Sequence, residues 1–103
     1  MTILAPTPTA DQERTVLCTV AGCREQFHAT LPGIAPTHRG HRRALPGLFT
    51  IEAVLTHDST GWQTELIMHE TPARLNAFES HSLSRALAAV AKWCRTRNEE
   101  AAR

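Results

Sequence analysis

The chain carries almost no excess charge: eleven Lys and Arg face ten Asp and Glu, a formal net charge of +1. That balance points neither toward nor away from a polyanionic partner, so only the distribution of charge is informative. No apolar run is long enough to span a bilayer, and the opening MTILAPTPTADQE lacks the basic segment of a secretory signal. A cytoplasmic protein with no membrane partner is expected. Cysteine is scarce too, and three thiols in a reducing compartment do not make a disulfide framework. Metal ligand, buried hydrophobe and incidental thiol remain as roles, with Cys94 expected to be the buried one.

Catalytic signatures are missing. The five glycines never gather into a phosphate-cradling loop. His57, Asp58 and Ser59 are consecutive in a turn, whereas a catalytic triad needs side chains that converge from separate positions. His69-Glu70 lacks the second histidine of a zinc-protease helix and falls on an expected strand. No enzyme is expected. At 103 residues the chain is one small domain that buries a limited share of its surface, so an added staple would matter.

What is present reads as strands first and a helix last. Residues 1–12, with two prolines among Thr and Ala, are expected to form a flexible arm, 13–98 a single domain and 99–103 a tail. Arg14 to Val20 alternates like a strand, Ala21-Gly22 reads as a turn, and Arg24 to Leu31 as the return strand. Two copies of Leu-Pro-Gly, at 31–33 and 45–47, bracket an expected loop containing Pro36 and Gly40. Leu48 to His57 is the clearest strand, with Phe49, Ile51, Ala53 and Leu55 on one face. It turns through HDSTG into a partner that carries Trp62, Thr64, Leu66 and Met68 in phase.

A helix then follows, capped by Ser80 or Ser82 and running to about Asn98. Its apolar stripe is Leu83, Ala86, Leu87, Val90 and Cys94, with Trp93 at the edge. Lys92, Arg95 and Arg97 are placed in its last turns, where cations suit the helix dipole. The sum is an α+β fold: a small antiparallel sheet of two β-hairpins packed against one C-terminal helix. The opposite sheet face, with Val54, Ile67, Glu52 and Glu65, is left open.

Cys18 and Cys23 flank four residues, and Phe27 follows after three more. This Cys-x4-Cys-x3-Phe pattern, about ten residues of VLCTVAGCREQF, resembles the hairpin of C2H2-type zinc fingers in its long-knuckle form. The resemblance implies a zinc ion held by two thiolates from the hairpin, with the aromatic packed beneath the site. Zinc fingers continue with a helix bearing two histidines, whereas here Pro32 and Pro36 intervene, so no base-reading residues carry over. The expected ligands are Cys18, Cys23, His38 and His41 in a closed tetrahedral site, with His28 as the substitute. Arg24 beside Cys23 would favour its thiolate. Against this stand an ordinary buried Cys18 in phase with Val16 and Val20, and a Cys18–Cys23 disulfide in oxidised protein.

Positive charge concentrates at Arg39, Arg42 and Arg43 and again at Lys92, Arg95 and Arg97, with acids (Glu52, Asp58, Glu65, Glu70, Glu79) between. The first group, on a loop pinned by metal, could contact phosphates of nucleic acid, with the helix cations contributing if the fold brings them near. The alternative is an adaptor or inhibitor that binds a larger protein through the open face around Val54 and Ile67 or through a sheet edge. An open sheet also makes a homodimer plausible. The order hairpin, hairpin, helix is similar to the βββα part of double-stranded-RNA-binding domains and HicB-like antitoxins, without the preceding helix of the former.

Overall fold

The computed structural model of the protein describes residues 14–30 and 33–103. The expected N-terminal arm, and the end of the expected return strand at Leu31, lie outside the described residues. Five strands and a helix follow in the order β1 (Arg14–Leu17), β2 (Phe27–Thr30), β3 (His38–Leu45), β4 (Phe49–Leu55), β5 (Gln63–Met68) and α1 (Ala77–Ala101). β1 and β2 form a two-stranded antiparallel ribbon, and β3, β4 and β5 a three-stranded antiparallel sheet with β4 at its centre. The helix packs on all three strands of the larger sheet, while the ribbon meets that sheet through His28 of β2, whose ring stands edge to face with that of His38 of β3. Antiparallel strands against one C-terminal helix are the α+β arrangement that the sequence implies.

Alternation along β4 builds the core. Phe49, Ile51 and Ala53 point to the helix, where Val90 and Cys94 are buried and Leu83, Ala86, Leu87 and Trp93 pack at the margin. Phe49, Ile51 and Val90 are fully buried; burial of such side chains is worth about 1.5–3 kcal/mol each. The turn from β3 to β4 is the second Leu-Pro-Gly, with Leu48 N–H donating to the Leu45 carbonyl at 3.0 Å and Gly47 at φ 80°.

The segment His38–Leu45, expected as a loop, is instead strand β3. Its pairing with β4, from His38 opposite Leu55 to Leu45 opposite Phe49, supplies the order that local alternation does not. As an edge strand it leaves Arg42, Arg43 and Ala44 exposed, which hides the two-residue period. The register shifts between Arg39 and Arg42, as at a β-bulge. The ribbon strands are shorter than expected, because the chain leaves β1 at Leu17 and regains strand geometry only at Phe27.

The face away from the helix is not open along its length. Val54 and Glu52 are both buried, because Arg24 and Arg39 close over the Glu52 carboxylate. Val54 sits opposite Arg39 in the ladder. Ile67 is exposed as expected, and so is Leu66, which shares the phase of Ile51 but lies on the outer strand β5.

The helix begins earlier than either serine. Asn76 is the N-cap: its side-chain oxygen accepts from Glu79 N–H at 2.8 Å, and the Glu79 carboxylate accepts from Asn76 N–H at 2.9 Å. This reciprocal pair satisfies two orphan donors where a serine would satisfy one. The helix runs on to Ala101, so residues 99–101 of the expected tail are helical and the last turn contains no basic residue. Lys92, Arg95 and Arg97 therefore lie too far from the end to act on the dipole, whose influence is confined to the final turn.

Trp93 locks the helix to the strands. Its ring meets Trp62 edge to face at 4.9 Å and lies over the backbone of Gly22 and Gly40. A Cβ on Gly40 would fall 2.4 Å from the indole. Gly40→Ala is therefore expected to destabilise the protein by about 1–3 kcal/mol through overpacking. The midpoint of urea unfolding measures this, and an unchanged midpoint would show that the indole does not rest on that strand.

Candidate metal centre

Residues 18–26 form a knuckle rather than continued strand. Cys18 N–H donates to the Gln26 carbonyl at 2.8 Å, extending the ribbon by one rung, and Cys23 N–H donates to the Val20 carbonyl at 3.3 Å, closing the turn. Gly22 occupies φ 93°, a conformation few residues but glycine adopt readily. The next amide, Arg24 N–H, donates to the Arg39 carbonyl at 2.8 Å and ties the knuckle to β3. His28, on β2, is 4% exposed, and His38 opens β3.

These elements bring four donor atoms together. Cys18, Cys23, His28 and His38 each offer one, and all lie within 4.8 Å of one another. Cys18 Sγ is 3.4 Å from His38 Nδ1, Cys23 Sγ is 3.4 Å from His28 Nε2, and the two ring nitrogens are 3.1 Å apart. Metal–sulfur bonds of about 2.3 Å and metal–nitrogen bonds of about 2.0–2.1 Å imply tetrahedral edges of roughly 3.5 Å for S–N and 3.3 Å for N–N pairs. These three edges have the size of that tetrahedron, and the cluster could hold a metal ion.

The surroundings suit ligation. The Glu25 carboxylate lies 3.1 Å from His28 Nδ1. By accepting the Nδ1–H it directs the Nε2 lone pair into the cluster, the usual outer partner of a ligating histidine. Burial, together with neighbouring His28, lowers the pKa of His38, which keeps its ring neutral. Burial, reinforced by the Cys23 sulfur and the Glu25 charge, raises the Cys18 thiol. The Cys18 thiol therefore carries a proton that an arriving cation must displace.

The site departs from the expected one at a single ligand. His41 is carried by the irregular stretch of β3 to Trp93, with ring centroids 6.4 Å apart and planes within 17°, and its Nε2 accepts from Arg43 Nε at 3.2 Å. His28 takes the fourth corner. Its signal in the sequence was Glu25, three residues before it. Phe27 is 53% exposed and does not pack beneath the site. Arg24 directs its guanidinium to Glu52 rather than to the Cys23 thiol. Cys94 stands apart in the core, where burial raises its pKa.

The six cations considered for nucleic acid do not form one patch. Arg42 and Arg97 meet in a groove of about 530 Å³, whose other lining residues include Arg24, His41 and Trp93. Arg39 Nη1 is bonded to Glu52 at 2.6 Å and Glu65 at 3.2 Å on the sheet face away from the helix. Arg43 is bonded to His41, Arg95 lines a hollow beside Trp62 and Thr64, and Lys92 is exposed. Arg24, which lines the groove, was not among them.

One metal ion per chain is expected by elemental analysis of protein purified without chelator. Cys18→Ser and His28→Ala should lose it and melt at lower temperature, because metal binding is coupled to folding; His41→Ala should keep it. Retention of metal by His28→Ala would refute the ligand set. With His38 already neutral and Cys18 protonated, binding releases the Cys18 proton, so affinity should rise with pH across the neutral and mildly alkaline range. Competition against a coloured chelator at several pH values reads this, and a flat profile would contradict it. No protein-family model, curated protein or solved structure matches the chain, and the reading of the site rests on its own geometry.

Proposed function

We propose that the protein is a non-enzymatic nucleic-acid-binding module stabilised by zinc. Two thiols and two imidazoles in a tetrahedron of this size suit zinc among the common divalent ions. Four protein donors leave no position for substrate or water, which fits a structural ion. Its task would be to fix the knuckle on β3, and with it Arg24.

The observation that carries the nucleic-acid reading is the groove beside the knuckle. Arg24 from the knuckle, Arg42 from β3 and Arg97 from the helix line it, and no carboxylate among the described residues does. The exposed Arg42 side chain has no ion pair or hydrogen bond among the described residues, so its charge is available to a phosphate. Arg97 is bonded to the exposed Glu100 at 2.9 Å, a surface pair that a phosphate would readily replace. The rival surface for a protein partner is reduced by the burial of Val54, leaving Leu66 and Ile67 exposed on the outer strand β5.

Binding of a labelled oligonucleotide, followed by fluorescence anisotropy at rising NaCl, separates the two. Contacts from two or three arginines should give a slope of about −1.5 to −3 in log K against log salt. Arg42→Ala with Arg97→Ala should weaken binding and flatten the slope by about 2. Binding indifferent to salt, or unchanged in the double variant, would defeat the reading.

A further inference from the structure

We infer that the groove takes a single-stranded stretch of nucleic acid, one unpaired base stacking at Trp93 and His41 while adjacent phosphates meet Arg42 and Arg97. The inference rests on the nucleic-acid reading above and specifies its ligand.

The first support is the aromatic floor. Trp93 is held from below by the Gly22 and Gly40 backbones and laterally by Trp62, so its ring is fixed before any ligand arrives. The His41 ring runs nearly parallel to it, within 17°, at a centroid distance of 6.4 Å. At that distance the two rings are not in tight face-to-face contact, and a flat ring can extend the stack. Bases of any identity stack on such platforms.

Charge placement is the second support. The Arg97 guanidinium carbon lies 5.1 Å from the centre of the Trp93 ring. Its Nε is buried and has no acceptor among the described residues, so it is the terminal amino groups that a phosphate would meet. Arg42 stands on the other side of the groove, on β3. A nucleotide stacked on the indole would have guanidinium donors within the span of its own backbone, matching the charged groove and aromatic platform of single-strand binders.

Shape is the third. The groove is a shallow, open recess of about 530 Å³. In a duplex the base faces are stacked on their neighbours and unavailable, and a recess presents no helix or ribbon to enter the major groove. An unpaired base reaches the floor without that barrier.

The test uses the intact zinc-loaded chain, a fluorescein-labelled ten-nucleotide DNA or RNA strand of mixed sequence, and the same sequence as a duplex. The single strand should bind at least about tenfold more tightly than the duplex and quench tryptophan fluorescence. Binding by either sugar supports the inference. His41→Ala, which removes a side chain outside the core and outside the metal cluster, should weaken single-strand binding roughly five- to tenfold while zinc content and melting temperature stay unchanged. Equal or tighter duplex binding, or His41→Ala binding like the parent, would overturn the inference and leave the nucleic-acid reading standing. Failure of both strand forms to bind would overturn both.

Discussion

The convergence of Cys18, Cys23, His28 and His38 is the constraint on which the arrangement of this small domain depends. A two-stranded ribbon is marginal by itself, and among the described residues the backbones of β1 and β2 approach no strand of the larger sheet and no part of the helix closely. Val16, Leu17 and Phe27 remain roughly half exposed, so apolar burial contributes little to placing the ribbon. The donors bridge that gap: three come from the ribbon and its knuckle and the fourth from the first residue of β3. An ion bound there would reinforce the contact between two sheets that meet through the side chains of His28 and His38, with a binding energy of about 10–16 kcal/mol in small zinc domains.

A second layer of contacts fixes the knuckle in orientation. Arg24 uses its amide to reach the Arg39 carbonyl and its guanidinium to reach Glu52. Glu52 is shared with Arg39, which reaches on to Glu65 across the ladder. Two buried or half-buried carboxylates facing each other would repel, and the two guanidiniums compensate them. On the other side of β3, Trp93 lies against the glycines of both the knuckle turn and the strand. The arginines thus divide in role: Arg39 is held between the Glu52 and Glu65 carboxylates, while Arg42 and Arg97 line the groove.

Elements with a strong period were legible in the sequence. Phe49, Ile51 and Ala53, and the stripe from Leu83 to Cys94, gave the central strand, the helix and their mutual packing. The Cys-x4-Cys spacing pointed to the two sulfurs of the cluster, and His38 lies in the same cluster. What failed depended on partners distant in the chain. β3 is a strand because β4 pairs with it, and its own residues, arginine-rich and interrupted by Gly40, carry no alternation. His28 was ranked behind His41 because nothing local shows that β2 turns its ring toward the thiols while β3 carries His41 to Trp93. Glu52 and Val54 read as an open face because Arg24 and Arg39 cover it from 28 and 13 residues away, respectively, from Glu52. The helix start was misplaced for a local reason: the Asn76/Glu79 pair was present in the sequence but passed over in favour of serine.

The donors are separated along the chain by 5 residues between Cys23 and His28, 10 between His28 and His38, and 20 between Cys18 and His38. Closing a flexible loop becomes dearer only with the logarithm of its length, by about 0.6 kcal/mol for each doubling. The span from Thr30 to His38 contributes no donor of its own between those ends. Lengthening that span by a few residues would therefore cost little, whereas an insertion between Cys18 and His28 would disturb the turn and the β-ladder that set their spacing.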